Sequence, residues 1–287
     1  MIIVDLNQVM LSNLLMSLGK HTNASIEEGM VRHMVLNSLR SYRVKFGDEY
    51  GELVIACDNT NYWRRKLFPY YKANRKKNQE ASDLDWKSIF ECLNKIRQEL
   101  KDYFPYRVID IESAEADDII GTLVKEFGTG ENDFGNKILI LSGDKDFIQL
   151  HVHKNVKQYD PTRKKWVSHA DPDKYLDEHV LRGDAGDGVP NVLSSDNCFV
   201  VGDRQKPLTQ KKIDAFIALG LDGKFDHPNY RNYVRNKQLI DLNFTPKEIR
   251  QKVMESYKAQ EGKDRSKLMN YFIANKLRNL TESIGDF

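Results

Sequence analysis

The sequence predicts an α/β fold, a mainly parallel central sheet flanked by helices and followed by a helical region. Short apolar runs at 2–5, 53–57, 106–109 and 137–141 each end at or shortly before an acidic residue. Between them, apolar residues recur at the 3.6-residue period of a helix, and strands alternating with helices build a parallel sheet covered by helices. After residue 150 the texture changes, and from 208 onward only helical patterns remain.

The run 2–5 reads as a buried strand at the chain start. Residues 26–46 carry Val31, Met34, Val35 and Leu39 at helical spacing. Residues 84–101 carry Trp86, Ile89, Phe90, Leu93, Ile96 and Leu100, and 115–127 carry Ile119, Ile120, Leu123, Val124 and Phe127. Residues 156–166 read as a hairpin turning at Pro161-Thr162, and Asp171-Pro172 starts a helix over 171–182. Further helices are expected at 208–219, 229–240, 246–258 and 265–280. The division that follows is an α/β part over 1–182 and a helical part over 183–287.

At 287 residues, with 40% hydrophobic and 30% charged content, the chain has ample material for a core. No apolar run reaches the length of a membrane span, and the start lacks a signal-peptide pattern. Three widely spaced cysteines, Cys57, Cys92 and Cys198, form no CxxC pair, which argues against a zinc site or disulfide framework and for a reducing cytoplasm. Nothing asks for more than a monomer. Net charge is only +2, but residues 61–79 hold seven Lys/Arg and no Asp/Glu, while acids cluster elsewhere. Such segregation suits a surface that grips phosphates beside a site that holds cations.

The acids lie in five places: Asp5; Asp58; Glu115, Asp117 and Asp118; Asp144 and Asp146; Asp184 and Asp187. Each place has an ordinary reading alone, as a strand end, a first-turn acid beside a helix dipole, a capped turn or a loop. Jointly they point further. In a sheet of this class the binding crevice lies beyond the carboxyl ends of the strands, where Asp5, Asp58 and Asp144 fall. Converging carboxylates repel by roughly 4 kcal/mol per pair at 4 Å and an effective dielectric of about 20, and divalent cations relieve this. Hard oxygen ligands select Mg²⁺, with Mn²⁺ as a substitute, and two such ions could clamp a phosphodiester. On an ideal helix Glu115 and Asp118 share a side and Asp117 points elsewhere.

The segments Glu115-Ala-Asp-Asp118, Ser142-Gly-Asp-Lys-Asp-Phe147 and Gly183-Asp-Ala-Gly-Asp-Gly-Val-Pro-Asn191 resemble, in the same order, the signature segments of the 5′-nuclease or flap endonuclease family. Asp5 and Asp58 match its first two strand-end aspartates, and Tyr71-Lys-Ala-Asn-Arg75 resembles its basic arch segment. The likeness reaches the closing Ser283-Ile-Gly-Asp-Phe287 and is strongest to a bacteriophage branch with RNase H activity. It implies a PIN-like core with a helical arch, completed by 84–101, and a helix–three-turn–helix DNA-binding element.

The resemblance assigns Asp5, Asp58, Glu115, Asp117 and Asp144 to a first metal. Asp144, Asp146 and Asp187 go to a second, with Asp184 acting through water. It favours Asp117 over Asp118, opposite to the helical wheel. Lys72 would contact the scissile phosphate and Arg75 would help it. Implied partners are branched or flapped DNA and RNA–DNA hybrid, and the replication single-strand-binding protein. The implied activity is a 5′→3′ exonuclease and flap endonuclease removing primers, in the bacterial host cytoplasm if phage-encoded.

Within 61–79 the basic residues alternate with Tyr62, Trp63, Phe68, Tyr70 and Tyr71. Cations bind phosphates and aromatic faces stack on unpaired bases, so Arg64, Arg65, Tyr71, Lys72, Arg75 and Lys76 are expected to hold nucleic acid. Arg204, Lys206, Lys211 and Lys212 are expected on duplex phosphates. After Val192, Leu193-Ser-Ser-Asp-Asn-Cys-Phe-Val-Val-Gly202 replaces the family's glycine-rich hairpin, so its potassium site is not expected here. The alternatives are a small toxin-like ribonuclease, which would lack the basic segment and the Asp184 loop, and a non-catalytic DNA-binding protein on the same fold.

Overall fold

A computed structural model describes residues 1–18, 27–128, 136–220 and 229–287; the side chains of 16–18 and 76–78, Lys76 among them, lie outside the described residues. Six strands form one sheet: β1 (Ile2–Asp5), β2 (Leu53–Cys57), β3 (Arg107–Asp110), β4 (Ile138–Leu141), β5 (Val156–Asp160) and β6 (Lys165–Val167). Their order is β3-β2-β1-β4-β5-β6, parallel throughout except for β6, which returns antiparallel to β5. The chain steps outward from β1 to β3, then crosses to β4 and steps the other way. This reversal opens a crevice at the carboxyl ends of β1 and β4.

Strand side chains alternate between two cores. Ile2, Val4, Leu53, Ile55, Cys57, Leu139 and Leu141 face one, whereas Ile3, Val54, Ala56, Ile138 and Ile140 face the other. A parallel sheet buried on both faces explains why these runs are uniformly apolar. The first face is covered by α1 (Leu6–Leu18), α2 (Glu28–Tyr50) and α5 (Trp86–Tyr103). Between them in sequence lie the short α3 (Arg64–Leu67) and α4 (Ala73–Glu80). The stripe of α5 is core packing, with Ile89, Cys92, Leu93, Ile96 and Leu100 buried. The second face is covered by α6 (Ala116–Gly128) and a 3₁₀ helix, Lys145–Val152.

The remaining helices are α7 (Pro172–Arg182), α8 (Cys198–Val201), α9 (Gln210–Leu219), α10 (Tyr230–Ile240), α11 (Lys247–Ala259), α12 (Leu268–Ala274) and α13 (Arg278–Thr281). α7, α9 and α10 gather a third core that also takes Phe68 and Tyr71 from the basic segment. α11 adds Ile249 and Val253 to the second core, while Leu268, Phe272 and Phe287 join the first.

Two differences from the sequence expectation have local causes. The helix expected over 265–280 is broken, because Lys276 adopts a left-handed backbone (φ 55°). Leu277 N–H donates to Phe272 O (2.9 Å) and Lys276 N–H to Ile273 O (3.1 Å), the paired closure that ends helices. Helix α1 was not expected. It starts directly from β1 with no intervening turn, and its Leu6, Val9, Met10 and Leu14 are buried.

Candidate active site and metal centre

Strand β1 delivers Asp5 to the crevice, where its carboxylate accepts from Gln8 N–H (3.2 Å) and Ser142 Oγ (3.1 Å). Asp58 follows β2 and does two jobs. Its Oδ2 accepts from Asn7 Nδ2 (2.7 Å) and its Oδ1 from Ala116 N–H (2.7 Å). It thus caps α6 from another strand, a through-space N-cap. Asp144 caps the 3₁₀ helix, accepting from Asp146 N–H (3.0 Å).

The fifth acidic place, Asp184 and Asp187, rides on a turn that requires glycine. Gly183 ends α7 at φ 68°, and a Cβ there would lie 2.4 Å from Val189 O. The chain folds back so that Val189 N–H donates to Asp184 O (2.7 Å) and Asp187 N–H to Asp184 Oδ1 (3.1 Å). Lys72 also has a left-handed backbone (φ 57°), and its N–H donates to Asp187 O (2.7 Å). Strain of that kind persists only where the surroundings over-determine it. Here it aims the buried ammonium at Glu115 and at Asp187 Oδ2 (3.4 Å). Tyr71 OH sits between Glu115 Oε2 (3.0 Å) and Asp187 Oδ2 (2.8 Å), and Arg75 donates to Asp187 Oδ1 (2.6 Å).

The electrostatics record the crowding. Burial and the Asp58 carboxylate push Asp5 up to about 7. Burial and Asp146 push Asp144 up to about 6. Burial, then Asp144 and Glu115, hold Asp117 well above the usual carboxylate range, and burial with Asp146 and Asp187 raises Asp184. Asp187 goes the other way: burial would raise it, but Lys72 and Arg75 outweigh burial and hold it low. His179 Nε2 lies 2.9 Å from Asp146 Oδ1 and 3.9 Å from Asp184 Oδ2. Burial alone would lower its pKa, but these carboxylates raise it.

The chain matches the family described as 5′-3′ exonuclease, N-terminal resolvase-like domain, over residues 3–180, and the T4 RNase H C-terminal family over 172–287. It is 36% identical to a ribonuclease H of Enterobacteria phage T4, over 99% of this chain and 95% of that protein. The chain belongs to the 5′-3′ exonuclease family. It is 30% identical to a 5′-3′ exonuclease of Buchnera aphidicola, over 49% of this chain and 47% of that one. Its fold matches a flap endonuclease of bacteriophage T5 solved as a pseudo-enzyme-product complex with DNA and metal ions. That match has a TM-score of 0.61 and 18% identity, over 91% of this chain and 98% of that one. This member of the 5′-3′ exonuclease family is therefore a nuclease on a resolvase-like, PIN-type sheet.

Within this nuclease the acids divide. Asp5, Asp58, Glu115, Asp117, Asp144, Asp146, Asp184 and Asp187 are linked through shared hydrogen bonds or mutual repulsion. Asp118 leaves the set. It is fully buried and accepts from Arg64 (2.9 and 3.0 Å), Trp63 Nε1 (3.0 Å), Thr245 Oγ1 (2.9 Å) and Glu115 N–H (2.9 Å). No lone pair remains directed at the crevice. Glu115 and Asp118 do share a side, both bound by Arg64, but α6 begins only at Ala116, so the wheel does not decide which acids face the crevice.

Arg64 is corrected for the same reason. It is 2% exposed and donates to Asp118, Glu115 and Leu239 O, so it cannot grip a substrate. Trp63, Phe68 and Tyr71 are also buried in core clusters, so their faces do not stack on bases. Tyr71 meets the site through its hydroxyl and through its ring, over which the Lys72 ammonium lies at 5.1 Å. Arg65 is exposed and stacks over the Tyr62 ring at 5.1 Å. Arg204, Lys206, Lys211 and Lys212 are exposed around the start of α9. The segment after Val192 is organised by Asn191, whose Oδ1 accepts from Leu193 N–H (3.0 Å) and Ser194 Oγ (2.9 Å).

Asn7, Gln8, Ser142 and His179 touch the acids but escaped the sequence reading. Ser142 stands in a segment already singled out; Asn7 and Gln8 follow Asp5 directly. A single histidine on an amphipathic helix carries no local signal. The donor set is oxygen-rich and crowded enough to hold several acids above their usual range, which fits hard divalent cations.

Proposed function

We propose that this 5′ nuclease is Mg²⁺-dependent, a 5′→3′ exonuclease and flap endonuclease with RNase H activity that removes primers during DNA replication. The observation that carries this reading is the set of eight carboxylates gathered at one sheet edge, with the Lys72 ammonium buried among them and Arg75 exposed at their rim. Asp5, Asp58, Glu115, Asp117 and Asp144 would hold one ion, and Asp144, Asp146, Asp184 and Asp187 another, with Mn²⁺ able to substitute. Bound cations supply the charge that lets water attack a phosphodiester at neutral pH and stabilises the departing oxygen.

The chain's own groups do the rest. Lys72 and Arg75 contact the scissile phosphate and stabilise charge developing on it. Arg65, Lys206, Lys211, Lys212 and Arg204 track duplex phosphates, and Lys76 extends the basic segment. Residues 1–182 form the nuclease core. Residues 183–287 bind duplex, by a helix–three-turn–helix-type element, and a replication single-strand-binding protein. The substrates are branched or flapped DNA and RNA–DNA hybrid in a bacterial host cytoplasm, and the enzyme works as a monomer.

The test is cleavage of 5′-labelled flap DNA and of an RNA-primed hybrid, with Mg²⁺ or with chelator, by wild type and Asp144→Asn. Short 5′ products that require Mg²⁺ and vanish in the variant, with DNA still bound, are the expected result. Cutting that persists in chelator would overturn the metal dependence.

A further inference from the structure

α7 lies along the 3₁₀ helix and places His179 between the two clusters proposed to hold the second ion. One ligand atom each from Asp146, His179 and Asp184 falls within 4.8 Å of the other two. The His179 side chain is 17% exposed, but its Nε2 is fully buried and makes no hydrogen bond. It approaches Asp146 Oδ1 to 2.9 Å, close enough for an ion pair yet without hydrogen-bond geometry. The ring is fixed from behind. It stacks on Tyr175, one turn earlier on α7, at 5.8 Å and 18°, and Tyr175 packs against His169 at 5.0 Å. A buried ring nitrogen, immobilised and directed between two carboxylates, is placed to share a cation with them.

We infer that His179 contributes a nitrogen ligand to the second cation, converting an all-oxygen site into a mixed one that favours Mn²⁺ over Mg²⁺. Mg²⁺ is a hard cation that prefers oxygen and holds its waters, whereas imidazole suits the first-row transition ions. The inference rests on the proposed metal dependence and deepens it by assigning this chain a cation preference that its carboxylates alone would not give.

The full-length protein, stripped of metal, is titrated with Mn²⁺ and with Mg²⁺ by calorimetry. The Mn²⁺ complex is then examined by pulsed electron paramagnetic resonance. Wild type is expected to show nitrogen hyperfine coupling from one imidazole. His179→Leu is expected to lose that coupling and to bind Mn²⁺ about ten-fold more weakly, with Mg²⁺ affinity changed much less. Circular dichroism checks that the variant is folded, and His179→Gln serves as a second variant that keeps a polar side chain. Stoichiometric Mn²⁺ with no nitrogen coupling, and unchanged affinity in both variants, would sink the inference while leaving the metal reading intact. No binding of either ion by wild type would overturn both.

Discussion

Arg64 and Asp118 form a fully buried two-pronged ion pair beside the clustered acids, at 2.9 and 3.0 Å. Arg64 comes from the basic segment and Asp118 from α6, and both reach the C-terminal region through Leu239 O and Thr245 Oγ1. Asp118 and its neighbour Asp117 thus have opposite duties. Asp118→Asn should destabilise the protein by about 3 kcal/mol, because the buried guanidinium loses its two-pronged partner and keeps only Glu115. Asp117→Asn should keep or raise metal-free stability, since it removes repulsion with Asp144 and Glu115, and should abolish Mg²⁺-dependent cleavage. Urea unfolding and flap cleavage of both variants separate the roles; equal stability losses would refute the division.

Lys72 is committed to the site by its backbone as well as its charge. Lys72→Ala should lower kcat by roughly 10²–10³-fold, the scale of one lost donor to a charge-developing oxygen. KM for flap DNA should change much less if the exposed basic residues supply the phosphate contacts proposed for them. Steady-state kinetics would decide, and a loss confined to KM would make Lys72 a binding residue only.

The raised acids make stability depend on pH. Asp5 rises to about 7 and Asp144 to about 6. In this window the folded state binds more protons than the unfolded chain, so stability falls as pH rises from about 4 to about 7. Asp187, held low, works in the opposite sense at lower pH. Melting in chelator should therefore show a lower Tm at pH 7.5 than at pH 5.5, by roughly 2–4 °C for each kcal/mol of linkage. Mg²⁺ should restore more of the Tm at pH 7.5, where the carboxylates are ionised. A chelated Tm that climbs steadily from pH 5.5 to pH 7.5 would contradict the crowding.

Gly183→Ala tests the turn that carries Asp184 and Asp187. The backbone at φ 68° and ψ −174°, a region open essentially to glycine only, costs an alanine about 1–3 kcal/mol. A Cβ within 2.4–2.6 Å of Val189 and Pro190 backbone atoms adds to this, because backbone cannot swing aside. Thermal unfolding and cleavage should fall together, whereas Gly202→Ala, with open space around its Cβ, should cost only the backbone strain.

Arg65, Lys211 and Lys212 are exposed, and the role proposed for them is electrostatic. Replacing each by Ala should weaken flap DNA binding uniformly across sequences and reduce the salt slope of log K by roughly 0.9 per lost duplex phosphate contact. An unchanged slope in the triple variant would place the DNA elsewhere.

The strands at 2–5, 53–57 and 137–141 were readable because burial on both sheet faces forces continuous apolar runs, and each run ends where the crevice begins. Their acids could be gathered for the same reason: parallel strands of similar length bring their carboxyl ends to one edge. Helix α1 was not readable, since it follows β1 without a turn, and the break at Lys276 depends on a left-handed residue that is not glycine. The aromatics of 61–79 alternate with cations, a pattern that looks the same whether the rings face solvent or, as Trp63, Phe68 and Tyr71 do, a neighbouring core.

The sequence by itself determined the α/β order, the family and the five acidic places, because these are written in local periodicity and in contiguous motifs. Only the tertiary structure decided which member of each place faces the crevice. It turned Asp118 and Arg64 inward as a mutual pair and brought His179 of α7 to within 2.9 Å of Asp146. Those choices rest on distances between residues 33 to 127 positions apart. A buried charge finds its partner through space, and no local pattern records which one it finds.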